Sequence, residues 1–189
     1  MRSKLALAMF VLVSTFPAMA QVAPAAKIHS LPLGVGGGVS DYDLDYGQGR
    51  RMLGASAWVD YDLFHGLGIQ AEGTDIFADR PSTLTRMKQE TVQGGAIYKY
   101  HAIKGFRPFV TGEEGVGKIE FPSHNPFYTS DTYLITSIGG GVEYKVWRTL
   151  SVRGDYEYQI WHDFRTHSLT PQGFTIGATY YLHSPHRHY

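Results

Sequence analysis

The segment His162-Asp163-Phe164-Arg165-Thr166-His167-Ser168 holds the residue types of a hydrolytic site: a hydroxyl, imidazoles and a carboxylate. A hydroxyl attacks only when a base lies within hydrogen-bond reach. His167 and Ser168 are sequence neighbours, so on an extended strand they point to opposite faces and do not form such a pair. A second stretch, Gly112-Glu113-Glu114-Gly115-Val116-Gly117-Lys118, fits the phosphate-loop spacing G-x-x-x-x-G-K. Ile119 stands where a hydroxyl would bind magnesium and no helical pattern follows, so the stretch reads as strand. Gly34-Val35-Gly36-Gly37-Gly38 fails the dinucleotide pattern at Val39. His183, His186 and His188, around Pro185, are a compositional hint of metal binding and no more. No catalytic, cofactor-binding or metal-ligating residue is assigned.

A third set of residues is spread along the chain but shares one parity. Asp60, Asp62, Glu72, Lys99, Arg107, Glu113, Glu143, Lys145, Arg153, Asp155 and Glu157 each lie opposite the apolar residues of their own stretch. Period-two alternation marks a strand with one greasy and one polar face. The clearest case puts Leu53, Ala55, Ala57, Val59, Tyr61 and Leu63 on one face and Ser56, Trp58, Asp60 and Asp62 on the other. The pattern recurs in eight stretches between Leu33 and Leu182. Tight turns at Phe64-His65-Gly66, Ala102 to Gly105 and Trp147-Arg148-Thr149 alternate with long polar segments at Asp75 to Gln89, Lys118 to Asp131 and His162 to Gln172. Gly66 supplies the positive φ that a tight turn demands. Glu114 falls on the greasy parity, which predicts a membrane edge or a β-bulge there.

The N-terminus reads as an export signal. Met1-Arg2-Ser3-Lys4 is basic, Leu5 to Phe16 is apolar, and Ala18 and Ala20 are the small residues of a cleavage site before Gln21. The apolar run is too short for a spanning helix, which needs about 20 residues. Residues 1–20 are therefore expected to be a signal peptide, 21–32 a periplasmic lead, 33–183 the barrel and 184–189 a periplasmic tail. There is no cysteine, so neither a disulfide nor a lipid-modified N-terminal Cys is available. Lys plus Arg equals Asp plus Glu at 17, which removes any electrostatic case for nucleic acid. The slightly negative mean hydropathy of −0.21 suits strands whose lipid-facing and lumen residues alternate.

The last stretch, Phe174 to Leu182, carries a polar Thr175, Gly177, and hydrophobics at Tyr180 and Leu182. It resembles the C-terminal assembly signal of bacterial outer-membrane barrels. With alternate short and long connections and an even strand number, the chain resembles the small eight-stranded barrels of the OmpA transmembrane domain and OmpX type. The resemblance implies an all-β, eight-stranded antiparallel up-and-down transmembrane β-barrel with short periplasmic turns and longer extracellular loops. It also implies the bacterial outer membrane as location, outer-membrane lipid and lipopolysaccharide as surroundings, and the barrel-assembly machinery as a partner in biogenesis. The chain stops soon after the closing strand, so the peptidoglycan-binding domain of OmpA is not expected.

Aromatics cluster near strand ends, as interfacial girdles do. Tyr61, Phe64, Tyr98, Tyr100, Phe106, Tyr144, Trp147 and Tyr180 are expected on the periplasmic side, and Tyr156, Tyr158, Trp161 and Phe174 on the other. Inside a narrow barrel the charged parity must pair, so a structural polar core is expected rather than a gated ion path. Function is expected to be non-enzymatic, structural or surface-contact, with the loops as contact surface. Arg80, Arg86 and Lys88 are candidates for lipopolysaccharide phosphates, and Phe121, Phe127 and Tyr128 for an apolar contact. Two alternatives stand beside this. A lipid A deacylase is disfavoured because its pattern of His and Ser two apart, then Asn, is missing. A soluble lipocalin-like exported barrel would bury the apolar parity and expose the charged one.

Overall fold

A computed structural model of the chain describes residues 33–45, 51–80, 88–120, 130–162 and 168–182. It contains eight strands: β1 (Leu33–Asp43), β2 (Arg51–Phe64), β3 (Leu67–Arg80), β4 (Lys88–Lys99), β5 (Phe106–Glu120), β6 (Ser130–Lys145), β7 (Leu150–Trp161) and β8 (Gln172–Tyr181). Each pairs antiparallel with its sequence neighbour, and β1 pairs with β8 from Gly34↔Tyr181 to Asp43↔Gln172, closing the barrel. Closure leaves no edge, so every strand satisfies its N–H and C=O groups sideways. Two hairpins turn on a pair of left-handed residues, His65 (φ 49°) with Gly66 (φ 87°) and Lys104 (φ 52°) with Gly105 (φ 90°). That is the backbone twist a two-residue hairpin loop needs.

The alternation sorts residues by face. Val39, Ile69, Val92, Val116, Ile138 and Ile176 are exposed on the outer wall. Asp60, Lys99, Glu113, Glu143, Arg153 and Glu157 are buried inside. A soluble barrel would show the reverse, so the lipocalin-like alternative is overturned. Aromatic pairs rim the turn end, with Tyr98 edge-on to Tyr100 at 4.8 Å and Phe106 tilted on Tyr144 at 4.8 Å. Phe77, Tyr156 and Phe174 are exposed nearer the other end. Trp161 is not among them: it points inward and is fully buried.

Strands run further than the alternation suggests. A tilted spanning strand needs about 9–11 residues, whereas β5 has 15 and β6 has 16. Asp75–Arg80 and Lys88–Gln89 are strand rather than loop, as are Lys118–Glu120 and Ser130–Asp131. Beyond the membrane the outer wall faces water and the parity reverses sign. Lys118 and Glu120 point out while Ile119 between them is buried; Glu90 points out beside buried Gln89. A bulge near Phe77 shifts β3 against β2, from Leu53↔Ala78 to Gly54↔Ile76. No such shift interrupts β5, so Glu114 does not mark a bulge.

Packing inside is tight. A Cβ on Gly36 would lie 2.2 Å from Trp58 Nε1, whereas a Cβ on Gly112 would meet nothing within 4 Å. Overpacking of this kind costs typically about 1–3 kcal/mol. Gly36→Val is therefore expected to lower the refolded fraction in detergent, read as loss of the fast-migrating band in unheated gels. Gly112→Ala is expected to refold like the parent chain; equal refolding of both variants would contradict the packing.

Candidate functional site

The inward side chains form three tiers. At the turn end, β4 delivers Lys99 to Asp60 and Asp62 of β2, at 3.0 and 3.2 Å. Lys99 and Asp60 side chains are both 0% exposed. Lys99 also donates to the Tyr181 hydroxyl at 3.3 Å, which donates to Glu143 at 2.7 Å. Arg107 reaches Asp62 at 3.7 Å but is 31% exposed, so it sits at the mouth rather than in the sealed interior. Below Lys99 opens a cavity of about 410 Å³ whose lining includes His101, Lys99, Arg107, Glu143, Lys145 and Tyr181.

Arg153 holds the middle tier. Its guanidinium lies between the Trp58 and Phe109 rings, 4.6 and 4.4 Å from their centroids. It donates to Asp155 at 2.8 Å and to Gln70 at 3.1 Å, and faces Asp60 and Glu72 at 3.9 Å each. A planar cation that can stack and fork its donors is what this position requires; an ammonium would do neither. Glu157 accepts from the Tyr42 hydroxyl, from Gln93 at 2.8 Å and from Gln159 at 3.3 Å. On the β8–β1–β2–β3 wall, Thr175, Ser40, Ser56 and Thr74 form a hydroxyl chain with steps of 2.9, 2.7 and 2.7 Å. Glu113 is buried with these groups, yet its Oε1 has no hydrogen-bond partner in the protein.

The outermost tier is apolar, which the inward parity alone does not announce. Met52, Ile76, Ile119, Ile135, Trp161 and Leu169 are buried in one cluster drawn from most of the strands, so it crosses the lumen. The signal was present as isolated apolar residues between outward charges, as in Lys118-Ile119-Glu120. The lumen is thus a well, capped on the extracellular side and open at the turn end.

Outside, the projecting strands carry pairs of opposite charge. Lys88 contacts Glu90 and, at 3.4 Å, Asp75; Lys118 meets Glu120 at 2.5 Å; Arg51 meets Asp41 at 3.2 Å. Arg80 ends β3 with its backbone opposite Arg51. Arg86, Phe121, Phe127 and Tyr128 lie outside the described residues, as do Asp163, His167 and the tail histidines. Of the hydrolytic candidates, Ser168 is exposed, and His162 meets Thr136 instead, Nε2 to Oγ1 at 2.9 Å. The phosphate-loop-like stretch is the interior of β5. Among the described residues no group of three His, Cys, Asp or Glu converges as a metal site. In the closing strand Thr175 faces in, Tyr180 faces out, and Leu182 is exposed just beyond it.

A family model described as "Outer membrane protein beta-barrel domain" matches residues 7–181. The chain belongs to that family. No curated protein sequence matches it. Among solved structures it is similar to Neisserial surface protein A, at 13% identity and a TM-score of 0.60, over 79% of this chain and 96% of that one. It is also similar to Ail, the attachment invasion locus protein of Yersinia pestis, at 16% identity and a TM-score of 0.53, over 80% and 97%. A major outer membrane protein from Thermus thermophilus matches at 12% identity and a TM-score of 0.53, over 82% and 100%. At these identities the likeness concerns the fold. With the family, it identifies an outer-membrane barrel.

Removing one partner of a buried ion pair leaves an uncompensated charge and costs roughly 3–5 kcal/mol. Lys99→Met is expected to lower the stability of the refolded barrel in urea by that amount, and adding Asp60→Asn to recover part of it. Independent, additive losses would show that the pair is not coupled.

Proposed function

We propose that the mature chain is a non-enzymatic outer-membrane scaffold whose extracellular rim is its working surface. Export is by the N-terminal signal, cleaved after Ala20. The observation that carries this reading is the contrast between a lumen filled with side chains and capped by apolar residues and strands that continue well past the bilayer. A filled eight-stranded barrel has no room for a transport path of useful width. What remains for recognition is the projecting wall, with Asp75, Lys88, Glu90, Lys118 and Glu120 in alternating charge, and the segments that join these strands. Such charges suit lipopolysaccharide phosphates or a sulfated surface. The names of two similar barrels, a surface protein and an attachment invasion locus protein, agree with a contact role. A further structure of the second is described as a complex with the heparin analogue sucrose octasulfate.

A lipid-modifying activity is the second reading. The contact favouring it is Thr136–His162 on the outer wall, with Glu114 the cross-strand neighbour of Thr136. A hydroxyl, an imidazole and a carboxylate in one patch have the residue types of an acyl-transfer site.

The test replaces residues 81–87 and 121–129 with short Gly-Ser links and measures retention of barrel-bearing cells on plates coated with sulfated polysaccharide. Retention is expected to fall to that of barrel-free cells while heat-modifiable migration is kept. Retention equal to barrel-free cells before any replacement would remove the contact role. The lipid A mass spectrum is expected to be the same with and without the protein. An acyl change that disappears in His162→Ala would replace this reading with the enzymatic one.

A further inference from the structure

The cavity at the turn end sits at the rim of the barrel and not deep in its lumen. Its volume is about 410 Å³, within the range of roughly 300–1,000 Å³ usual for small-molecule sites. The lining draws on both faces of the wall: Lys99, Arg107, Glu143 and Tyr181 from the lumen side, Tyr98 and Tyr100 from the aromatic girdle. Gly66 and Gly105, the turn glycines of two neighbouring hairpins, border it as well. Girdle aromatics lie at the membrane interface. The cavity is therefore level with the headgroups of the inner leaflet.

Two of the charged groups in this lining are held within the protein. Lys99 faces Asp60 and Asp62 at 3.0 and 3.2 Å, and Glu143 accepts from the Tyr181 hydroxyl at 2.7 Å. Arg107 is placed differently. Its register neighbour on β6 is Glu143, yet its one ion contact among the described residues is to Asp62 at 3.7 Å, too long for a hydrogen bond. Asp62 already has Lys99 at the shorter distance. The guanidinium, 31% exposed, thus stands in the cavity wall with its fork of donors unengaged. Such a fork matches a phosphate or carboxylate. Lys145 lines the same cavity, and Lys104 and Arg148 are exposed on the turns beside it. The carboxylates of this end, Asp60, Asp62 and Glu143, face inward, so among the described residues the exposed charges here are basic. A neutral ligand would leave the Arg107 fork unused, and a metal ion would meet three cations. The wall selects an anion.

We propose that this cavity is a headgroup site for an anionic phospholipid of the inner leaflet, its phosphate held by Arg107 with Lys145 alongside and its chains leaving past Tyr98 along the girdle. Basic pockets at a membrane interface hold anionic headgroups in this way. The same chemistry would take a soluble phosphate ester from the periplasm. The position favours the lipid, because Tyr98 and Tyr100, edge-on at 4.8 Å, belong to the wall that meets the bilayer. A lipid bound there bridges the hairpin turns at Gly66 and Gly105 and fixes the height of the barrel in the membrane. The site lies at the opposite end from the proposed contact surface and does not depend on it.

The experiment uses the full mature chain refolded in detergent and titrated with phosphatidylglycerol, phosphatidylethanolamine of the same chains, or glycerol phosphate, with bound molecules counted by native mass spectrometry. A single phosphatidylglycerol is expected to be retained per barrel, in preference to phosphatidylethanolamine. Arg107→Gln is expected to weaken retention at least about tenfold, because charge-assisted hydrogen bonds to the phosphate are lost. Lys104→Gln, on the exposed turn, is expected to change it less. Equal retention of the two lipids by the parent chain would overturn the proposal. So would equal losses in Arg107→Gln and Lys104→Gln, which would show diffuse attraction and no site. Glycerol phosphate binding as tightly as the lipid would overturn the lipid assignment in favour of a soluble phosphate ester. If Arg107→Gln does not refold, Lys145→Gln serves under the same criteria.

Discussion

Within a bilayer no water reaches an unpaired N–H or C=O, and each such group costs several kcal/mol. The ladder joining β1 to β8, from Gly34↔Tyr181 to Asp43↔Gln172, is therefore the interaction on which everything else rests. Once the sheet closes, each strand has one face in lipid and one in a lumen too narrow for bulk water. The outer face must be apolar, which accounts for the exposed Val39, Val92, Ile138 and Ile176. The inner face must fill space and satisfy its own polar atoms. Glycines do the first where Trp58 lies over Gly36 and Gly177. Lys99 and Arg153 do the second, each contacting more than one carboxylate.

The part of the chain immersed in lipid is legible in the sequence because its two surroundings differ sharply. Leu53 to Leu63 sorts cleanly by parity, and the tight turns declare themselves through Gly66 and Gly105, whose positive φ other residues adopt only under strain. The projecting strands are not legible by the same rule. There the outside is water and the inside is the dry cap, so polar residues face out and apolar residues face in. Asp75-Ile76 and Lys118-Ile119-Glu120 keep the period of two with its sign reversed, and a reading that equates apolar with outward takes them for loop. Trp161 departs from the girdle expectation for the same reason: an aromatic near a strand end suits a girdle, but here the strand end is already above the lipid. Which inward charges meet is also beyond the pattern. Parity assigns Asp60 and Lys99 to one interior, yet their contact depends on strand tilt and stagger around the barrel, which no single strand records.

The tiers make the two ends of the barrel chemically unlike. Toward the turns, Lys99 is matched by Asp60 and Asp62 and the lumen opens into a cavity lined by Arg107 and Glu143. Toward the loops, Trp161, Ile119 and Ile135 close it, with buried Gln89 in register beside Ile76 and Ile119. Between the two ends the lumen is packed with side chains. On the wall above the membrane, opposite charges are exposed and cost little to rearrange. Pairs of this kind contribute roughly 0–1 kcal/mol each. They hold the rim loosely.

Glu114 locates the boundary between these regimes. It faces outward in an unbroken register between Gly94 and Thr136, so no irregularity in the ladder removes it from the wall. It comes eight residues after Phe106, which stands at the turn-end rim. A tilted strand crosses the hydrocarbon in about 9–11 residues, which puts Glu114 close to the outer interface. A charge on the lipid face costs about 2–4 kcal/mol at the midplane but falls to about 0–1 near the interface. The polar contact of Thr136 with His162 lies beside it, as expected where lipid tails give way to headgroups. From Lys118 onward β5 carries outward charges around the inward Ile119, the rule of a water-exposed wall.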